Sequence, residues 1–165
     1  MHKHPLVYFS NHVLEAIKRA KTFEALRDLA LFVLATMPRD VGMVCGPITT
    51  GGAGSVEKNL SRFNYAINLM FVRGFNVFTQ MPFKTPMQRI KENKDYYKGG
   101  NQLLETFYLA LFRSCWFKTL YFLPDWKSSY GARWEHEQAL ALGLEIKYFK
   151  ENFESLGQNE SLFVE

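Results

Sequence analysis

The sequence predicts an α/β domain: a parallel sheet flanked by helices, with a helical extension before it. Three observations predict it. First, Val41–Cys45 is a short apolar run, followed by the glycine-bearing loop Gly46–Gly54, an amphipathic helix and a second apolar run, Phe75–Thr79. That is a strand–helix–strand unit, and parallel strands need such a crossover, which is right-handed. Second, the alternation recurs: a helix over 102–114, a strand over Phe117–Leu123, a helix after the turn at 124–131 and a strand over Leu144–Phe149. Third, 165 residues with 47% hydrophobic and 22% charged side chains have the composition of one globular domain with a core.

The elements follow in order. Ser10 and Thr22 are placed to cap helices within 10–37. Val13, Ile17 and Ala20 form one apolar stripe, and Phe23, Leu26, Ala30, Val33 and Met37 a second. Leu29, Leu31, Phe32 and Leu34 widen the second stripe to most of the circumference. Such a helix either packs against the sheet or joins a subunit interface. Pro38 stops it. Ser55 caps the next helix, which carries Val56, Leu60, Phe63, Ile67 and Met70 on one face and ends before Gly74. Between Met81 and Gly100 the pattern lapses, with Pro82, Pro86 and several basic residues. This reads as a long loop with room for a helical turn, either a lid over residues 82–98 or a variable surface segment. Asn101 is placed to cap the helix with Leu104, Phe107, Tyr108 and Leu111 on its inner face. Residues 150–165 are weakly patterned and read as a tail that docks on a neighbour or frays.

The division expected is a helical extension over 1–40, an α/β domain over 41–150 and a tail over 151–165. A net charge of +4 without a dense basic run does not imply nucleic-acid binding but suits a small anion. Cys45 and Cys115 form no CxxC pair and read as buried free thiols. His2, His4, His12 and His136 lack metal-ligand spacing, so neither metal nor cofactor is expected, although His2 and His4 could form a fortuitous terminal site. There is no signal-peptide pattern, and the run Leu29–Met37 is too short to cross a bilayer. The expected setting is cytoplasmic.

Two strand-to-helix loops can carry chemistry, because ligands of parallel sheets bind at the carboxyl edge. In Gly46–Ser55 the glycines admit a ligand close to the backbone, or simply make a flexible turn. In Pro124–Gly131, Ser128, Ser129 and Gly131 can hold a phosphate at the helix start, or a serine can merely cap it. Trp126, Tyr130 and Trp134 can stack a base or simply pack. Arg133 and Glu137 read as a solvated i,i+4 pair. On the following helix Ala132, Glu135, Ala139 and Leu142 share one stripe, and a carboxylate there is costly unless paired, hydrogen-bonded or protonated. Glu135 either braces the glycine loop or opens into a cleft as a nucleophile or base.

The segments "CGPITTGG" and "LPDWKSSYGARWEHEQALALGL" resemble the DUF4406 family, which is itself similar to the nucleoside 2-deoxyribosyltransferase superfamily. The family pattern is a strand ending A-G-P-[MI]-[TS]-G, then L-P-G-W-x-x-S-x-G-A-x-x-E-x-x-x-A-x-x-L-G. Here Gly46, Pro47, Ile48 and Thr49 match the first part. Leu123, Pro124, Trp126, Ser129, Gly131, Ala132, Glu135, Ala139, Leu142 and Gly143 match the second. The likeness covers about 41–149. It implies a Rossmann-like (flavodoxin-like) parallel sheet of about four or five strands and a homodimer or larger. It implies a nucleoside or nucleotide ligand, while the charge pattern and the short apolar runs give no expectation of a nucleic-acid or membrane partner. Glu135 falls where the superfamily's transferases carry a nucleophilic glutamate, and the serine–glycine turn where its nucleotide glycosidases hold a 5′-phosphate. Ligand contacts are then expected from Gly46, Pro47, Ile48, Thr49, Gly51, Gly52, Ser128, Ser129 and Gly131, with Trp126 or Tyr130 stacking the base.

The chain also departs from the superfamily. Met43 or Val44 stands where active transferases have a tyrosine, and Trp116, Phe117 or Lys118 where they have an aspartate. Asp125 replaces the family's glycine. The expected function is an N-glycosidase or deoxyribosyltransferase-like enzyme using Glu135 at the anomeric carbon. The alternative is a non-catalytic ligand-binding module of the same fold.

Overall fold

A computed structural model describes residues 4–49 and 51–165. His2 and Thr50 lie outside the described residues. Two helices come first, α1 (Asn11–Arg19) and α2 (Phe23–Ala35), capped as their sequences require: Ser10 Oγ accepts from Val13 N, and Thr22 Oγ1 from Ala25 N. Strand β1 (Val41–Cys45) leads through the glycine loop into α3 (Val56–Val72), capped by Ser55. Helix α4 (Lys84–Glu92), a π-helical turn at Leu104–Tyr108 and α5 (Leu109–Arg113) precede strand β2 (Phe117–Phe122). Helix α6 (Tyr130–Leu142) and strand β3 (Glu145–Tyr148) follow, joined by Gly143 at φ +70°.

The sheet is parallel with order β1-β2-β3. It holds three strands among the described residues, fewer than the four or five expected. The expected strand at Phe75–Thr79 runs parallel beside β1 but meets it at one bridge, Gly42 with Val77. The reason lies at its end. Gln80 Nε2 donates to Val44 O at 2.8 Å, so a side chain takes the place of the next ladder bond. The backbone is thereby free to peel away into α4.

Successive side chains of the sheet serve two apolar layers, as the period of two requires. Met43, Cys45, Leu120 and Phe122 join α1, α2, α4, α5 and α6 in one core. Val44, Tyr121 and Leu123 join α3 and the chain's end in the other. The helices before residue 40 are thus part of the main core: Phe23, Leu26 and Leu34 are fully buried there. The tail is docked on its own chain. Phe163 forms an antiparallel bridge with Phe149, and Arg62 bridges Asp125 and Glu154 at 3.0 and 2.7 Å.

Several expectations are corrected. Within 81–100 the chain forms a full helix, Lys84–Glu92, in place of a loop with at most a helical turn, and only 93–100 stays irregular. Pro86 sits in the first turn of that helix, where a missing N–H costs little, and Phe83, Met87 and Ile90 are buried at helical spacing. Asn101 does not cap the next helix; its Oδ1 accepts from Tyr130 Oη at 2.8 Å. Val56 is exposed and Asn59 takes the inner face of α3 in its place. Cys45 is buried as expected, but Cys115 is exposed at a turn with φ +65°. Phe32 is exposed on α2, so that helix is not buried all round. Leu142 is partly exposed at the end of α6, leaving Ala132, Glu135 and Ala139 as the buried stripe. Arg133 donates to Lys127 O at 2.6 Å, capping the turn before α6.

Candidate functional site

The chain runs from β1 out through α3 to Val77 on one side and later returns to β2 on the other. The strand order therefore reverses at β1, and the crevice at its carboxyl edge is where such sheets receive ligands. A cavity of about 250 Å³ lies there. The loop after β1 supplies Gly46, Ile48 and Thr49, and the segment after Val77 supplies Gln80 and Lys84. The π-helical turn supplies Leu104 and Tyr108, and the start of α6 supplies Ser129, Tyr130, Gly131 and Glu135.

Glu135 is 9% exposed, and its Oε2 has no hydrogen-bond partner among the described residues. Burial pushes the carboxyl up to about 7, against the opposing pull of the adjacent Cys45 thiol and the Lys84 ammonium. Burial pushes Lys84 down to about 8, against the attraction of Glu135. Lys84 Nζ donates to Tyr108 Oη at 2.9 Å. The Cys45 thiol and the Tyr108 phenol are both pushed upward, first by burial and then by the Glu135 charge. Burial thus moves the two groups toward each other and toward neutral pH, the carboxyl upward and the lysine downward. Both are neutral hydrogen-bonding groups in one protonation state and charges in the other.

Seven of the residues expected at the site border this cavity: Glu135, Gly46, Ile48, Thr49, Ser129, Tyr130 and Gly131. Ser129 Oγ caps α6 by accepting from Ala132 N at 3.3 Å. Pro47, Gly51, Gly52, Ser128 and Trp126 do not line it. Ser128 instead ties the two loops together: its Oγ accepts from Gly52 N at 2.8 Å and donates to Asp125 O at 2.7 Å. Trp126 stacks on His136, with centroids 4.2 Å apart, and His136 Nε2 meets Tyr148 Oη at 2.6 Å.

Sequence reasoning missed Gln80, Lys84 and Asn59, and placed Tyr108 only as a packing residue. Asn59 organises the glycine loop. Its Oδ1 accepts from Ala53 N at 2.8 Å, and its Nδ2 donates to Ile48 O at 3.1 Å and Gly51 O at 3.0 Å. A polar residue beside the apolar stripe of α3 was its only signal.

Residues 43–148 match a family model described as "Domain of unknown function (DUF4406)". The chain belongs to the DUF4406 family. Neither a curated protein nor a solved structure matches it. The DUF4406 segment begins in β1 and ends at the last residue of β3, so it holds every residue named above as bordering the cavity. Among the described residues no helix of this DUF4406 protein is long and apolar enough to cross a membrane. No group of three or more His, Cys, Asp or Glu there could hold a metal ion.

Proposed function

We propose that this DUF4406 protein cleaves or transfers the N-glycosidic bond of a nucleoside or nucleotide, with Glu135 acting at the anomeric carbon. The observation that carries the reading is the buried Glu135 carboxylate, facing the cavity with Oε2 unpartnered. A buried carboxylate without a partner is costly to folding, and a ligand that it engages offsets that cost. In the reaction, Glu135 attacks C1′ as the C1′–N bond breaks. The base leaves with the bonding pair and takes up a proton from solvent, which is returned to solvent when the attacking water or base loses its own. Water, or a second base, then displaces the carboxylate from C1′. The likeness to the nucleoside 2-deoxyribosyltransferase superfamily supports the same role, and a Rossmann-like identity for the sheet belongs to this proposal.

The volume supports a small ligand. A cavity of about 250 Å³ is below the roughly 300–1,000 Å³ of drug-sized sites, which suits a nucleoside or its monophosphate and not a dinucleotide. Lys84 and Lys91 on one wall favour an anionic group. A cytoplasmic setting and a homodimer are part of the proposal, and exposed Phe32 on α2 offers an apolar contact for the latter.

A binding module is the second reading. It is favoured by Met43, which is buried in the apolar core, and by Lys118, which is exposed, so neither brings a catalytic polar group to the cavity. Purified protein incubated with ribo- and deoxyribonucleosides and their 5′-monophosphates distinguishes the two. Free base, lost in Glu135→Gln, supports the enzyme. A thermal shift from a ligand that stays intact supports the module.

A further inference from the structure

Gln80 is 2% exposed and borders the same cavity as Glu135. Its amide has one orientation, because Nε2 donates to Val44 O and the reverse would set two carbonyl oxygens together. Its Oε1 is left with no partner. Among the described residues Glu135 Oε2 is the other buried side-chain atom in this state. The two groups line one cavity at the carboxyl edge of β1, with Gln80 held there by its bond to Val44 O. Gln80 Oε1 accepts only, and the ionised Glu135 accepts too, so a ligand that satisfies both in that state brings two donors into the cavity. A phosphate dianion has none to give. A vicinal pair of sugar hydroxyls has both, or one hydroxyl donates to Gln80 while the anomeric carbon faces Glu135.

We propose that Gln80 is a specificity-determining residue whose Oε1 accepts a hydrogen bond from the 2-hydroxyl of a ribofuranosyl ligand. The cavity then selects ribo- over 2-deoxyribo-compounds. This rests on the part of the proposed function that places Glu135 beside the anomeric carbon, whether or not it attacks there, since the hydroxyl next to that carbon is the 2-hydroxyl. Removing that hydroxyl leaves the buried carbonyl of Gln80 unpaired, and sites built to bond a hydroxyl discriminate strongly against analogues lacking it.

The test is calorimetric titration with ribose 5-phosphate and 2-deoxyribose 5-phosphate. Wild-type protein should bind the first at least tenfold more tightly, and Gln80→Met should bring the ratio close to one. Equal affinities in the wild type, or binding of neither sugar, overturns the inference. So does a ratio unchanged in a folded Gln80→Met variant. Should that variant not fold, the wild-type ratio alone decides. The base-release assay separates the two proposals. Base released equally well from ribo- and deoxyribonucleosides sinks the role of Gln80 and leaves the N-glycosidic reading standing. Ribose 5-phosphate preference with no base released from any nucleoside sustains Gln80 and sinks the catalytic reading.

Discussion

Lys84 Nζ donates to Tyr108 Oη at 2.9 Å, on the wall of the cavity that Glu135 faces. The bond joins the start of α4 to the end of the π-helical turn, two segments separated by the whole stretch 93–103. It holds a cation in the same cavity as a carboxyl group that burial pushes above the usual carboxylate range. π-helical turns recur at functional sites, and this one sets Leu104 and Tyr108 on the cavity wall together.

A pH dependence follows from that cation. Glu135 attacks only when ionised, so kcat/KM for base release should rise with pH through about 7. Lys84 favours the ionised carboxylate. Lys84→Met should therefore move the acid limb to higher pH, with activity below it falling roughly tenfold per unit of displacement. An acid limb that stays in place in the variant would separate Lys84 from the ionisation of Glu135.

Stability should also depend on pH, in two opposed windows. Glu135 is raised from 4.5 to about 7 in the folded chain. Between those values the unfolded chain has released the proton that the folded chain still holds. Its contribution is therefore fully present below 4.5 and is lost as pH rises through about 7, at no more than about 1.4 kcal/mol per unit. Lys84 is lowered from 10.5 to about 8, so above about 8 the folded chain releases its proton first and stability recovers toward 10.5. The pair is least favourable between about 7 and 8. Urea unfolding of wild type and Glu135→Gln should show the variant gaining relative stability from pH 5 to 7.5. A constant difference across that range would contradict the burial argument.

How much of this was legible in the sequence depends on distance along the chain. Ser10, Thr22, Ser55 and Ser129 all cap the helices they precede, because a cap is settled within three residues. Glu135 could be read as inward-facing from its spacing to Ala132 and Ala139 alone. Gln80 and Lys84 could not be assigned, since their roles depend on Val44 and Tyr108, far away in sequence. Lys84 was hidden in an apparently basic loop, although Phe83, Met87 and Ile90 have the spacing of a helix face. The strand at Phe75–Thr79 was over-read because an apolar run does not reveal where a side-chain amide will replace a ladder bond.

Asn59 should matter to the glycine loop more than its place on a helix suggests. Three backbone groups of residues 48–53 bond to its side chain, and Asn59 itself is 5% exposed. Asn59→Ala should cost about 1–3 kcal/mol in chemical unfolding, the usual range for leaving buried partners unsatisfied. It should also speed amide exchange at Ala53. Exchange unchanged at Ala53 would mean that the loop holds its shape without this side chain.

Gly51 and Gly54 provide a controlled comparison within the same loop. Both have positive φ, +68° and +93°. A Cβ at Gly54 would meet nothing within 4 Å, whereas one at Gly51 would collide with the side chain and carbonyl of Ser128. Gly54→Ala should therefore cost only the left-handed backbone penalty, about 1–2 kcal/mol. Gly51→Ala should cost more, because it also drives the loop away from the Ser128 bond to Gly52 N. Gly46, Ile48 and Thr49 border the cavity on that same loop, so ligand affinity should weaken in Gly51→Ala and hold in Gly54→Ala. Thermal unfolding and ligand titration on the two variants check both halves. Equal losses would show that backbone conformation governs the loop, and that contact with the Ser128 turn does not.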